Sequence, residues 1–272
     1  MKRLRIGIVG CGAIGSSLAK AVRKDFSKVA TVAALCDTDG QKAKLLAKSV
    51  FKDTALAVGL EQLISRSDLV IEAASAKASW NIARQALNKG KNILIMSVGG
   101  IVGRYAQLTR LAYLHNAKVY IPSGAICGID ALKAAKSGKI RSVSLTTRKH
   151  PKSFLNVAYV QKKGIKLDKI IKDTVLFSGP AQEAVKFFPQ NINVAAVLSL
   201  AGIGPGKTKV TIIADPTAKR NIHEIKIVSD AGEIITRTEN VLHPENPKTS
   251  FLAVLSALAT LRQIVQPVRI GT

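Results

Sequence analysis

The sequence predicts an α/β chain in two parts, a doubly wound parallel sheet followed by an α+β domain that carries a mixed or antiparallel sheet. Three observations predict it. An apolar run, Leu4 to Val9, feeds into Gly10-Cys11-Gly12-Ala13-Ile14-Gly15, and an acid, Asp37, follows about 20 residues later. From there to Ile121 apolar strand-like segments alternate with helical ones, the rhythm of a parallel sheet. Past residue 140 the rhythm changes to β-rich runs: Ser142 to Thr147, Thr174 to Ser178, Lys209 to Ala214, and Ile222 to Ser229 closed by the turn Asp230-Ala231-Gly232.

Each glycine of the first loop has a task. Gly10 allows a tight turn, Gly12 lets the backbone approach a pyrophosphate, and Gly15 permits close packing of helix on strand. The pyrophosphate of a dinucleotide then rests on the N-terminus of the helix. Together with Cys11, Ala13 and Ile14 these glycines form a Rossmann-type cofactor loop. Val32 to Cys36 reads as the second strand and delivers Asp37 to the adenosine ribose, where a carboxylate accepts from both hydroxyls and repels a 2'-phosphate. NAD is favoured on that ground, and Lys42 and Lys44 just beyond keep NADP open as a second cofactor.

The remaining elements follow in order. A Lys-rich helix is expected from Gln41 to Ser49, a short segment near Ala55, a helix including Glu61 to Ile64, and the strand Leu69 to Ala73. Then come helix Trp80 to Asn88, strand Asn92 to Met96, helix Arg104 to His115 and strand Lys118 to Ile121. Ligands of such sheets sit beyond the carboxyl ends of the strands. Ala74-Ser75-Ala76, Ser97 to Gly100 and Pro122 to Ala125 are therefore expected at the nicotinamide end, with Ala74, Ser75 and Ser97 as cofactor contacts. Helices are expected at Ile192 to Leu200 and at Ser250 to Val265, the latter capped by Thr249 or Ser250. The domain expectation is 1–126 plus 249–272 for dinucleotide binding and 127–248 for substrate and catalysis.

Composition narrows the function classes. With 272 residues and 47% hydrophobic content the chain has ample core. No window approaches 18 uninterrupted apolar residues, and no leader pattern precedes the first strand, so a cytoplasmic protein without a membrane partner is expected. Cys11, Cys36 and Cys127 have no metal-type spacing and read as reduced fillers, and no metal is expected. The net charge is +24, and Ala131 to Asp173 alone holds twelve Lys or Arg against Asp168 and Asp173. These cations are mostly lysines spread among apolar residues with few aromatics. They read as a solvated surface or a collector of anionic substrate rather than a nucleic-acid site.

A hydride-transfer enzyme needs a proton carrier, and histidine is the economical choice near neutral pH. His115 falls at a helix end, His150 precedes Pro151 in a basic loop, and His243 precedes Pro244 in a loop. His223 begins an alternating strand in Asn221-Ile222-His223-Glu224-Ile225, where Asn221 and Glu224 are placed to orient its ring. The spacing alone leaves an ordinary strand histidine as the competing reading.

Several dispersed segments occur in register. They are the N-terminal fingerprint, Glu72 to Ser75, Met96 to Gly99, Pro122 to Ala125, Phe188 to Ala196, Asn221 to Glu224, and Asn246 to Ser250. Over nearly the whole chain they resemble the L-aspartate dehydrogenase family. The resemblance implies oxidative deamination of L-aspartate to iminoaspartate with NAD or NADP, reversible as amination of oxaloacetate, as a step toward NAD synthesis. It implies that His223 is the active-site histidine, that Ala125 and Asn193 contact the cofactor, with Asn191 as a rival for the latter, and that the protein is a homodimer through the sheet of its second domain. The small dicarboxylic amino acid calls for cationic or hydroxyl donors, for which Ser123, Lys248 and Thr249 are candidates; Lys248 reads equally well as a surface lysine. A homoserine dehydrogenase-like enzyme is the alternative on the same frame. The other is a dinucleotide-sensing nucleic-acid-binding protein using Lys133 to Lys172.

Overall fold

The strands of the first sheet are short apolar runs, most deeply buried at the centre, as expected where helices cover both faces of a parallel sheet. The computed structural model describes residues 3–188, 193–244 and 246–271. It divides into two units, Met1–Pro122 with Val254–Arg269, and Ser123–Ala253 with Ile270–Thr272.

The first unit runs β1 (Leu4–Val9), α1 (Ala13–Asp25), β2 (Ala30–Cys36), α2 (Gly40–Leu46), α3 (Leu60–Arg66), β3 (Leu69–Glu72), α4 (Ala76–Asn88), β4 (Asn92–Ile95), α5 (Tyr105–Leu114) and β5 (Val119–Tyr120). The five strands are parallel in the order β2-β1-β3-β4-β5. Ile6, Ile8, Leu69, Ile71 and Leu94 are fully buried at its centre. Outside β2 the segment near Ala55 forms a single 3-10 turn, Thr54–Leu56, then one parallel bridge, Leu35 to Ala57, with Val58 N–H donating to Leu35 C=O at 2.9 Å. Counted as a strand, that bridge restores the dinucleotide-binding order 3-2-1-4-5-6. The Lys-rich helix expected to Ser49 ends at Leu46 and continues as a π-helical turn, Ala47–Phe51, stopped by Lys52 at φ 60°. Helix α4 starts before the expected Trp80 because the Ser75 hydroxyl caps it, accepting from Ala78 N–H at 3.4 Å.

The second unit comprises α6 (Ile129–Ala135), β6 (Ile140–Lys149), α7 (Ala158–Lys162), β7 (Thr174–Pro180), α8 (Ala181–Phe187), α9 (Asn193–Ala201), β8 (Lys209–Ala214), β9 (Asn221–Ser229), β10 (Gly232–Asn240), β11 (Leu242–His243) and β12 (Asn246–Ser250). Helix α10 (Phe251–Val265) follows, and from Val254 it belongs to the first unit, where Ala257 and Leu261 are fully buried. The sheet runs β10-β9-β6-β8-β7, with β6 and β8 parallel and the other pairs antiparallel. It is therefore mixed. Its hydrophobic core gathers Leu145, Phe154, Phe188, Leu198 and Val210. Ala125 and Ile126 join this core, so the chain crosses between units at Pro122/Ser123 rather than after residue 126.

The inner face of this sheet changes character along β6. Val143 and Leu145 are buried among apolar side chains, and the next two positions on the same face, Thr147 and Lys149, are buried as well. On β9 the same face passes from Ile227 and Ile225 to His223 and Asn221. One end of the sheet is thus apolar and the other polar, although both are out of water.

Candidate active site

The glycine loop has the shape its sequence demands. Gly10 sits at φ +95°, and a Cβ there would lie 2.4 Å from the carbonyl oxygen of Ala73. A Cβ on Gly15 would meet the Gly10 oxygen at 1.8 Å, so only glycine lets α1 pack this close to β1. Gly12 is exposed with nothing within 4 Å of a Cβ position. It also stands at the N-cap of α1, where no side chain caps the helix and no acid occupies the first turn. Open backbone at an uncapped helix start whose first turn carries no acid fits a pyrophosphate. Asp37 ties the loop to β2: its Oδ2 accepts from Cys11 N–H at 2.7 Å and its Oδ1 from Asp39 N–H at 2.9 Å. Burial, then the charge of Asp37, pushes the Cys11 thiol up to about 12, so it stays protonated. Ala13 and Ile14 open the helix half-buried, and Lys42 lies 3.8 Å from Asp39 across the surface.

A buried carboxylate, Glu72, organises the strand ends. Its Oε1 accepts from Ala74 N–H and its Oε2 from Ser97 N–H, both at 2.9 Å. Burial raises its pKa, and the backbone hydrogen bonds from Ser97 and Ala74 pull the other way. One side chain thereby holds the loops after β3 and β4 together, with Ala74 and Ser75 exposed beside it and Ser97 buried.

In the second unit His223 lies at the polar end of the sheet. It pairs across the ladder with Thr147 on one side and Thr238 on the other. Its Nδ1 is 3.0 Å from Thr147 Oγ1. Burial, reinforced by the positive charge of Lys149, lowers the His223 pKa to about 3, so the ring is neutral. Burial alone brings the Lys149 ammonium down to about 8. The strand neighbours named from sequence do not orient the ring. Asn221 Nδ2 donates to Ser250 Oγ at 3.3 Å, and Glu224 points to the opposite face, where it pairs with Arg237 and Arg148. Alternation along a strand forbids residues 223 and 224 from sharing a face.

The other candidates are placed as follows. Ala125 is buried, and its carbonyl accepts from Asn240 Nδ2 at 2.9 Å and Thr238 Oγ1 at 3.2 Å, which fixes it beside the strand that pairs with His223. Ser123 is half-buried two residues earlier. Asn193 is exposed at the start of α9, while Asn191 lies outside the described residues. The Asn221 to Ser250 hydrogen bond draws half-buried Thr249 and its strand toward the same end of the sheet as His223. Lys248 belongs to β12, with its side chain outside the described residues. His243, expected in a loop, is buried edge-on to Phe251 at 5.6 Å. Sequence reasoning missed Thr147 and Lys149. Their signal is phase: both continue the buried positions of Val143 and Leu145. Among the described residues no cluster of metal-ligating side chains occurs, and no helix is long and apolar enough to cross a membrane.

Comparison with known proteins divides the chain in the same place. Residues 130–264 match the family model for the C-terminal part of aspartate dehydrogenase. Residues 10–122 match the model described as the NAD-binding domain of homoserine dehydrogenase. The L-aspartate dehydrogenase of Methanosarcina mazei is 48% identical over 272 residues, covering 99% of this chain and 100% of the relative. That of Methanosarcina acetivorans is 49% identical with the same coverage. The crystal structure of aspartate dehydrogenase from Thermotoga maritima superposes with a TM-score of 0.74 at 30% identity, covering 99% of this chain and 100% of that one. Similarity that spans both units and includes the segment carrying His223 settles the family: the chain belongs to the aspartate dehydrogenases.

Proposed function

We propose that the protein oxidises L-aspartate to iminoaspartate with NAD, or with NADP, and runs in reverse as the reductive amination of oxaloacetate. The observation that carries this reading is the buried, neutral His223 held against Thr147 at the polar end of the second sheet. It lies in a segment matched by the aspartate dehydrogenase model. The glycine loop, the start of α1 and Asp37 would hold the dinucleotide, with Ala74, Ser75, Ser97, Ala125 and Asn193 completing its contacts. When bound, its nicotinamide ring supplies the hydride acceptor.

The chain's own residues manage the proton and the charges. Aspartate arrives as an ammonium, and the Cα–H electron pair leaves only once the nitrogen lone pair is available to form the C=N bond. A neutral His223 whose Nδ1–H donates to Thr147 Oγ1 presents Nε2 as the acceptor for one ammonium proton. The product is a protonated imine, which water converts to oxaloacetate and ammonium. Ser123, Thr249 and Lys248 are proposed as donors to the carboxylates.

The homoserine reading rests on the dinucleotide-binding half, whereas His223 falls in the half matched by the aspartate model. Initial rates of NADH formation at alkaline pH with L-aspartate, L-homoserine and L-glutamate, repeated with NADP, decide between them. Turnover of aspartate alone is expected; turnover of homoserine alone would replace this reading with its rival. The protein is further proposed to be a cytoplasmic homodimer paired through the outer face of the second sheet. There Ile235 and Val175 are exposed, 66% and 57%, and Ile235→Arg should yield monomers in sedimentation.

A further inference from the structure

We infer that Asn240 and Thr238 are positioning residues: by clamping the Ala125 carbonyl they hold the Ser123 to Ala125 turn, which carries proposed contacts to substrate and cofactor, in fixed register with His223. The inference rests on the aspartate reading above and assigns the residues that set its geometry within the second unit.

The inward positions of β10 run Ile234, Thr236, Thr238 and Asn240, so this face turns from apolar to polar toward the end of the strand. Asn240 is only 4% exposed. A side-chain amide is costly to bury unless its hydrogen bonds are made, and here they converge on one stretch of chain. Asn240 Nδ2 donates to Ala125 C=O at 2.9 Å, Thr238 Oγ1 to the same carbonyl at 3.2 Å, and Thr236 Oγ1 to Cys127 C=O at 3.5 Å. Just beyond, Gly128 sits at φ +82°, and a Cβ there would lie 3.0 Å from Thr236 Cγ2. Residues 125–128 therefore lie against the inner side of β10, held there by its side chains.

The residue types follow from the contact. A carbonyl oxygen offers two lone pairs, and the two donors match them. Asn221 C=O, 3.5 Å from the same Nδ2, can also only accept, so the amide must turn its nitrogen this way. That nitrogen donates as well to Thr238 Oγ1 at 3.3 Å, which leaves the hydroxyl's own proton for Ala125 at 3.2 Å in preference to His223 C=O at 3.5 Å.

Register carries the consequence to the active site. Thr238 stands opposite His223 and Asn240 opposite Asn221 in the antiparallel pair of β10 and β9, and facing residues project from one side of the sheet. From His223 to Ala125 the path is one cross-strand pair and one hydrogen bond. Ser123 lies two residues back along the turn, whose Gly124 sits at φ +71°. Reacting groups tolerate little displacement, a shift of about 1 Å costing up to about 100-fold in rate. The clamp thus fixes the spacing between the proton acceptor and the contacts the turn supplies.

The full-length enzyme tests this with Thr238→Val, Thr238→Ser, Asn240→Leu and the double variant Thr238→Val/Asn240→Leu, each checked for folding by circular dichroism. In the double variant kcat/KM for L-aspartate should fall by about 10- to 100-fold, and Thr238→Ser should recover most of what Thr238→Val loses. Binding supplies a readout that general destabilisation would not move. By calorimetry, NADH affinity should weaken by about tenfold in the double variant, while ADP-ribose, which lacks the nicotinamide, should bind as it does to the wild type. If the double variant does not fold, Thr238→Val is read in the same way, with smaller losses expected. A folded double variant with wild-type kcat/KM and NADH affinity would overturn the inference and leave the aspartate activity standing, and so would an equal loss of NADH and ADP-ribose. A wild type that oxidises no aspartate, with NADH affinity still lost selectively in the double variant, would instead remove the reaction and keep the clamp. If the wild type has no turnover and the variants bind both ligands unchanged, both readings fall.

Discussion

His223 Nδ1 and Thr147 Oγ1 lie 3.0 Å apart, both buried, on strands that meet 76 residues apart in sequence. The contact joins a titratable ring to a hydroxyl, and in the proposed mechanism it holds Nδ1 and leaves Nε2 for the substrate. Replacing Thr147 by Val keeps the shape and removes the oxygen. The buried Nδ1 then loses its partner at a cost of about 1–3 kcal/mol, and the ring is free to carry its proton on Nε2. The expected outcome is a fall in kcat larger than any change in KM, a changed pattern of ring nitrogen signals by NMR, and recovery in Thr147→Ser. Unaltered ring signals in Thr147→Val would show that the hydroxyl does not set the tautomer.

The two buried bases give the protein a pH signature with a definite sign. His223 in the folded state titrates at about 3, below its ordinary 6.5, so the unfolded chain binds the extra proton between those values and stability falls as pH drops through that window. The same argument for Lys149, at about 8 against 10.5, makes stability rise as pH climbs from 8 to 10.5. Upper limits are about 5 kcal/mol for the histidine and about 3 kcal/mol for the lysine. Glu72, raised by burial, acts oppositely on the acid side. Urea unfolding of wild type and His223→Gln from pH 3 to 7 therefore isolates the histidine: the variant should lose the steeper part of the acid limb. Lys149→Met should likewise flatten the alkaline rise and be more stable than wild type at pH 7. Parallel curves for wild type and variants would refute the burial argument.

The glycine loop separates stability from binding. Gly15→Ala forces a Cβ against the Gly10 carbonyl at 1.8 Å, backbone against backbone. It should cost about 1–3 kcal/mol or more in thermal unfolding. Gly12→Ala meets nothing within 4 Å, so the fold should hold to within about 0.5 kcal/mol. Yet the methyl would occupy the surface proposed for the pyrophosphate, and NADH affinity measured by fluorescence should weaken by about tenfold, or 1.4 kcal/mol. Equal effects of the two substitutions on both readouts would contradict the division of labour.

The nucleotide half was legible in the sequence because local signals agree there. The apolar run, the positive-φ glycine, the close-packed glycine and the strand-end acid each point to one backbone. The second half was legible less completely. Strand β10 escaped notice because its exposed positions, Glu233, Ile235, Arg237 and Glu239, alternate with residues only partly buried, leaving little hydrophobic contrast. His223 was singled out as a candidate, but its environment was not legible, since Thr147 reaches it through a register no local pattern records. Expecting Glu224 to orient the ring overlooked the period of two that sends it to the other face. Lys149 was hidden by ending the strand two residues early, which placed a buried cation in a basic loop. Glu72 was quoted only as part of a loop, because burial of a carboxylate and its two backbone donors emerge only when β3 and β4 pair.

The most direct test of the central claim compares wild type with His223→Ala, measuring NADH production from L-aspartate beside NAD binding by calorimetry. The account predicts unchanged NAD affinity with turnover reduced by about 10²–10⁴-fold, the range of a lost general base. Undiminished turnover in the variant would contradict it.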